Sequence, residues 1–121
     1  MNNILLGITG SIAAYKTPEL VRQLRASGFN VKVVITESAR EFVTETTLQA
    51  VSANPVRSNL WDKDAEAVMS HIELARWANQ ILIAPATANF MAKLSHGSAD
   101  DLLATICLAS NAKKYFQTSH F

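Results

Sequence analysis

Three runs of small hydroxyl and amide residues each follow an apolar run: Thr9-Gly10-Ser11, Thr36-Glu37-Ser38 and Pro85-Ala86-Thr87-Ala88-Asn89. Such groups can hold a phosphate, or bond the heteroatoms of a flat ring lying against backbone. Gly10 has no Cβ, so the chain there can approach a ligand closely, and Ser11 adds a hydroxyl. Taken alone, the first run reads equally well as an ordinary strand-to-helix turn, and Thr36 and Ser38 read more readily as helix caps. Convergence of the three is more informative than any one. His71, in the stretch SHIELARWANQILIAPATAN, could move a proton at a reacting centre. It precedes an apolar helix face made by Ile72, Leu74 and Ala75, and spacing alone favours a structural or exposed role.

Other chemistries find less support. The dinucleotide fingerprint G-x-G-x-x-G is incomplete, with only Gly7 and Gly10 in place, so Glu37 is a weak candidate for a ribose-binding acid. No histidine or carboxylate pair has metal-ligand spacing, and neither a nucleophile elbow nor a P-loop occurs. His96 and His120 read as structural, and Trp61 and Trp77 as packing anchors. Cys107 lies within an apolar helix and reads as core.

Positioning three such loops at one edge requires strands that end together. Residues 4–9, 31–36 and 80–84 are apolar runs of strand length, the outer two nearly continuous, as in a parallel sheet covered on both faces. Between them, Thr17-Pro18-Glu19 reads as a helix start with Thr17 as cap, and Gly28 as its end. The chain is expected to turn helically from Ile12, with a kink at Pro18. Residues 44–53, 72–78, 87–95 and 100–110 read as helices, the last with Leu102, Leu103, Ile106 and Ala109 on one face. Residues 58–67 read mostly as loop, with Trp61 as anchor. The alternation predicts an α/β fold, a doubly wound open parallel sheet of Rossmann-like type. After Ser110 the chain changes character, and residues 114–118 form at best a weak edge strand. The expectation is a domain over 1–110, a divergent tail over 111–121, and a sheet lacking its last strand or strands.

The chain has 121 residues, enough for one modest domain, with 49% hydrophobic and 17% charged residues. A net charge of +1 offers no electrostatic capture of nucleic acid or of a membrane surface. One cysteine, no signal-peptide pattern and no apolar run of membrane-spanning length lead to the expectation of a cytoplasmic protein.

The segments GITGSIAAYKTPELVRQLRASGFNVKVVITESAREFV and SHIELARWANQILIAPATANFMAKLSHGSADDLLATICLA, in that order, resemble the flavin-dependent cysteine decarboxylase family over about residues 3–110. The resemblance is strongest to members acting on 4'-phosphopantothenoylcysteine in coenzyme A biosynthesis. It implies a non-covalent FMN at a subunit interface in a homotrimer or higher homo-oligomer. It assigns flavin contacts to Gly10, Ser11 and Ile12, to Thr36, Ser38 and Phe42, and to Thr87, Ala88 and Asn89. His71 matches the family's catalytic histidine. The implied reaction is oxidation at the cysteinyl thiol end, loss of carbon dioxide and return of the electrons, giving 4'-phosphopantetheine.

The chain also departs from the pattern. Relatives continue into a Pro-x-Met-Asn-x-x-Met-Trp segment and a flap cysteine, neither of which occurs here, and Asn79 stands where an acid is usual. A truncated or frameshifted product with weak or no turnover is therefore expected. The alternatives are a non-catalytic flavin-binding or interaction module and a flavin prenyltransferase-type protein, the latter opposed by the His-Ile-Glu-Leu segment. NAD-dependent oxidoreduction ranks last.

Overall fold

The computed structural model describes residues 2–118. Strands β1 (Asn3–Ile8), β2 (Asn30–Ile35), β3 (Gln80–Ile83) and β4 (Lys113–Phe116) form one parallel sheet in the order β2-β1-β3-β4. Ile4 pairs with Val31 on one side and Gln80 on the other, and Ile81 pairs with Lys114. The helices are α1 (Thr17–Ala26), α2 (Glu45–Ser52), α3 (Lys63–Val68), α4 (His71–Trp77), α5 (Ala88–Ser95) and α6 (Leu102–Ala109). Two short 3-10 turns, Ile12–Lys16 and Ser38–Glu41, follow β1 and β2.

Alternate residues of β1 face opposite cores, the consequence of a two-residue side-chain period. Leu6 and Ile8 join Ala14, Val21, Val31, Val33, Ile35 and Leu48, which brings α1 and α2 onto one face. Leu5 joins Leu74, Ala75, Ile81, Ile83, Phe90, Leu102, Leu103 and Ile106, which brings α4, α5 and α6 onto the other. Gly7 permits the close seat of α6. A Cβ there would lie 2.6 Å from Leu103 Cδ1 and 2.7 Å from Ile83 Cδ1, well inside contact distance. Cys107 is buried in the second core, and burial pushes its thiol up to about 12, which removes it as a nucleophile at neutral pH.

The doubly wound parallel sheet expected from sequence is present, as is the helical turn from Ile12. Several local readings change. Residues 58–67 are loop only over their first half: Asp62 caps α3 through Ala65 N–H at 3.1 Å, and residues 63–67 belong to that helix. Trp61 is no anchor, being 81% exposed. Thr17 lies inside α1 rather than capping it, because its hydroxyl donates back to the Ala14 carbonyl at 2.7 Å. On α4, Leu74 and Ala75 are buried while Ile72 is exposed, and on α6 Ala109 is exposed. The tail supplies β4, one residue earlier than expected, so the described residues carry four strands rather than three. His120 and the end of the 111–121 tail lie outside the described residues. Among the described residues, no helix is long and apolar enough to cross a membrane.

Candidate functional site

Strand order reverses direction about β1 and β3, and open α/β sheets bind ligands in the crevice outside the carboxyl ends at such a point. Here the loops after β1 and β3 are tied together. The Thr9 hydroxyl donates to the Pro85 carbonyl and accepts from Thr87 N–H at 3.1 Å, and Thr9 N–H also reaches the Pro85 carbonyl at 3.3 Å. The Ala84–Pro85 peptide is cis. The loops after β1 and β2 interlock by contact. A Cβ on Gly10 would lie 2.6 Å from Ser38 Cβ and 2.9 Å from the Ser38 carbonyl carbon, so only glycine fits without displacing the second loop.

These ties place Thr9, Thr36, Ser38, Thr87 and Asn89 around one cleft of about 40 Å³, closed by Phe90, Lys93 and Asp101. The Thr36 and Ser38 hydroxyls lie 3.4 Å apart. Thr87 caps α5 through Phe90 N–H, and Ser11 caps the first 3-10 turn through Ala13 N–H at 3.2 Å, each keeping its hydroxyl proton for a ligand. Ser11 and Phe42 flank the cleft on loops, while Ile12 opens the first 3-10 turn and Ala88 opens α5; all four lie outside the cleft lining, with Ile12 74% exposed. Nine expected cofactor contacts thus gather on one edge, four of them within a single cleft.

The hydroxyls, the glycine and the open backbone fit a flavin of the kind the resemblance implies, offering donors and acceptors to ring heteroatoms and donors to a phosphate. The cleft is far smaller than the roughly 300–1,000 Å³ that cofactor pockets occupy, so most of such a group would extend over the exposed flank.

His71 does not line this cleft. It opens α4, whose start is fixed by a capping box: Ser70 accepts from Glu73 N–H at 3.1 Å, and Glu73 accepts from Ser70 N–H at 3.1 Å. Its ring lines a separate hollow of about 510 Å³ with Leu60, Trp61, Asp62, Lys63, Glu66, Ala99 and Thr105. At the start of α6, Asp101 lines the cleft and Thr105, one turn on, lines the hollow.

Four polar residues were not singled out from sequence: Lys93 and Asp101 line the cleft, Glu66 lines the hollow, and Arg57 binds Glu66 from behind it. Lys93 pairs with Asp101 at 3.1 Å, and that bond raises its pKa against the opposing effect of burial. Glu66 receives the His71 Nδ1 at 2.9 Å and Arg57 Nη2 at 3.1 Å. Burial pushes the Glu66 carboxyl up, but the bonds from Arg57 and His71 outweigh it and hold the group below its ordinary value of 4.5. Since the folded value is depressed, the resulting stability is complete above that ordinary value and disappears as pH falls through the lower one. Asp101 was legible as a helix start; Glu66 and Arg57 carry no local signal.

A family model described as flavoprotein matches residues 1–116. The chain is 59% identical over 110 residues to the coenzyme A biosynthesis bifunctional protein CoaBC of Haemophilus influenzae, a match covering 91% of this chain and 28% of that protein. Its counterpart in Escherichia coli K12 is 55% identical over 109 residues, covering 90% of this chain and 27% of that one. The chain therefore spans less than a third of these relatives. Among solved structures, the FMN-dependent cysteine decarboxylase SpaF superposes with a TM-score of 0.83 at 31% identity, covering 94% of this chain and 66% of that one. The C175S variant of a PPC decarboxylase, complexed with pantothenoylaminoethenethiol, gives 0.71 at 31% identity, covering 91% and 61%.

Proposed function

This chain belongs to the flavoprotein family, and we propose that its carboxyl edge binds FMN for the decarboxylation of 4'-phosphopantothenoylcysteine to 4'-phosphopantetheine in coenzyme A biosynthesis. The observation that carries the proposal is the cross-tied edge, in which Thr9 joins the first loop to the third and Gly10 seats the first against the second. The likeness to CoaBC and to a PPC decarboxylase supplies the substrate class. Residues 1–110 contain every proposed contact, and we place the protein in the cytoplasm, where its single buried thiol stays reduced.

Gly10, Ser11 and Ile12 hold the cofactor from the first loop, Thr36, Ser38 and Phe42 from the second, and Thr87, Ala88 and Asn89 from the third. Bound FMN supplies a reversible two-electron acceptor. His71 transfers or steers a proton at the reacting end of the substrate. The small cleft and the exposed Ile12, Phe42 and Met91 support cover by further copies of the chain, in a homotrimer or higher assembly.

A second reading is a flavin-binding module without catalysis. It is favoured by one observation, that His71 and the loop cleft occupy separate spaces in a single chain. Visible spectroscopy and carbon dioxide release separate the readings. The protein carrying these residues is expected to be yellow, or to become so on adding FMN, and to release carbon dioxide from the substrate. His71→Asn is expected to keep the colour and lose the release. A colourless protein that takes up no FMN sinks both readings; colour without release from the parent protein leaves the second.

A further inference from the structure

His71, which lines the hollow together with Glu66, ends a chain of three side chains that starts at the edge of the sheet. Arg57 is part of a segment that pairs parallel with β2: its N–H donates to the Val33 carbonyl at 3.1 Å, and its carbonyl accepts from Ile35 N–H at 2.9 Å. Its side chain is 8% exposed. One guanidinium nitrogen donates to the Met69 carbonyl at 2.7 Å, in the turn between α3 and α4. The other donates to Glu66 Oε1 at 3.1 Å. Glu66 in turn grips His71 twice: its carboxylate accepts from the His71 backbone N–H at 3.1 Å and 3.3 Å, and Oε2 lies 2.9 Å from the ring Nδ1.

We infer that Glu66, braced by Arg57, is the positioning residue for His71, fixing its ring in the tautomer that carries the proton on Nδ1 and leaves the Nε2 lone pair free. An ionised carboxylate has no proton to give, so in the neutral ring Nδ1 must be the donor. Arg57 keeps Glu66 ionised and stationary, since a planar guanidinium anchored at once to the Met69 carbonyl and to the carboxylate has little freedom to carry the carboxylate elsewhere. The same Arg57 holds the α3–α4 turn through Met69, so carboxylate and imidazole are referred to one frame. Arg57 Nε is buried without a partner among the described residues. Such a costly placement is consistent with a side chain held for the alignment it imposes. The inference rests on the reading of His71 as the catalytic histidine, and the measurement below separates the two.

A bland alternative gives Glu66 only the role of an acid at the start of α4, where it would stabilise the helix through the backbone N–H. That role does not touch the imidazole. The discriminating measurement is 15N NMR of the His71 ring in the FMN-loaded protein, assigned by loss of the signals in His71→Asn. The neutral ring is expected in the Nδ1–H form alone. Glu66→Ala is expected to give a mixture of tautomers and to lower kcat about 10–100-fold, as removing a partner that orients a ligating or catalytic imidazole typically does, while KM stays put. Glu66→Gln keeps an acceptor oxygen and is expected to retain the tautomer and recover part of kcat. An Nε2–H form or a mixture in the parent protein overturns the inference without any variant, as does a Glu66→Ala ring still locked as Nδ1–H. A locked ring in a parent protein that releases no carbon dioxide supports the positioning role and overturns the decarboxylase reading instead.

Discussion

Gly10 is the residue on which the proposed cofactor edge turns. Any side chain there meets Ser38 at both Cβ and backbone, so the second loop must move. Gly10→Ala is expected to cost about 1–3 kcal/mol in stability, the usual penalty of overpacking, and to abolish FMN uptake. A fluorescence titration with FMN and a thermal melt check it; uptake equal to the parent would show that the loops do not need this contact. At this scale the sequence was partly legible. Gly10, Thr36, Ser38, Thr87 and Asn89 could be found because each follows a recognisable strand. Arg57 and Glu66 could not, because they meet across nine residues of sequence through a strand segment and a helix that carry no apolar rhythm. Their partnership exists only once the chain has folded.

The elements divide by how much each buries. Strands β1 and β2 and helix α6 present apolar side chains to a core, so their periodicity survives in the sequence. α3 has no buried residue at all; it is held by the Asp62 cap and by Glu66, and nothing apolar marks it. β4 reads Lys-Lys-Tyr-Phe, without a period of two, and is largely exposed, which hides a strand that is nevertheless paired along Gln80–Ile83. A cap can also serve a second purpose beside a cleft. Asp101 caps α6 through Ala104 N–H at 2.7 Å while holding Lys93 at the cleft. Asp101→Ala is expected to lose about 1 kcal/mol, read as a fall in Tm of several degrees. An unchanged melt would mean that the core face of α6 alone sets the start of that helix.

Across the whole molecule, the sheet separates two cores, and some of the apolar groups left outside them stand near the proposed cofactor edge. Ile12, Tyr15, Phe42 and Met91 are all exposed on the loops and helices that follow β1, β2 and β3. Such a surface suits burial against another copy. Ile12→Glu combined with Met91→Glu is expected to reduce the proposed assembly to smaller species in sedimentation velocity and to weaken FMN uptake in parallel. Unaltered sedimentation would place the interface elsewhere. The overall architecture was legible because alternating strand and helix patterns admit few topologies; the count of strands was not, since β4 contributes little to either core. The strand order also has a consequence for synthesis on the ribosome. β1 lies in the middle of the sheet yet precedes its neighbours in the chain: it meets β2 across 27 residues and the start of β3 across 76. A nascent chain can close the first of these pairings while the second flank of β1 still faces solvent. At roughly 5–20 residues per second that flank waits several seconds for its partner, an interval in which chaperones, or another emerging copy, have access to a strand that the finished fold conceals.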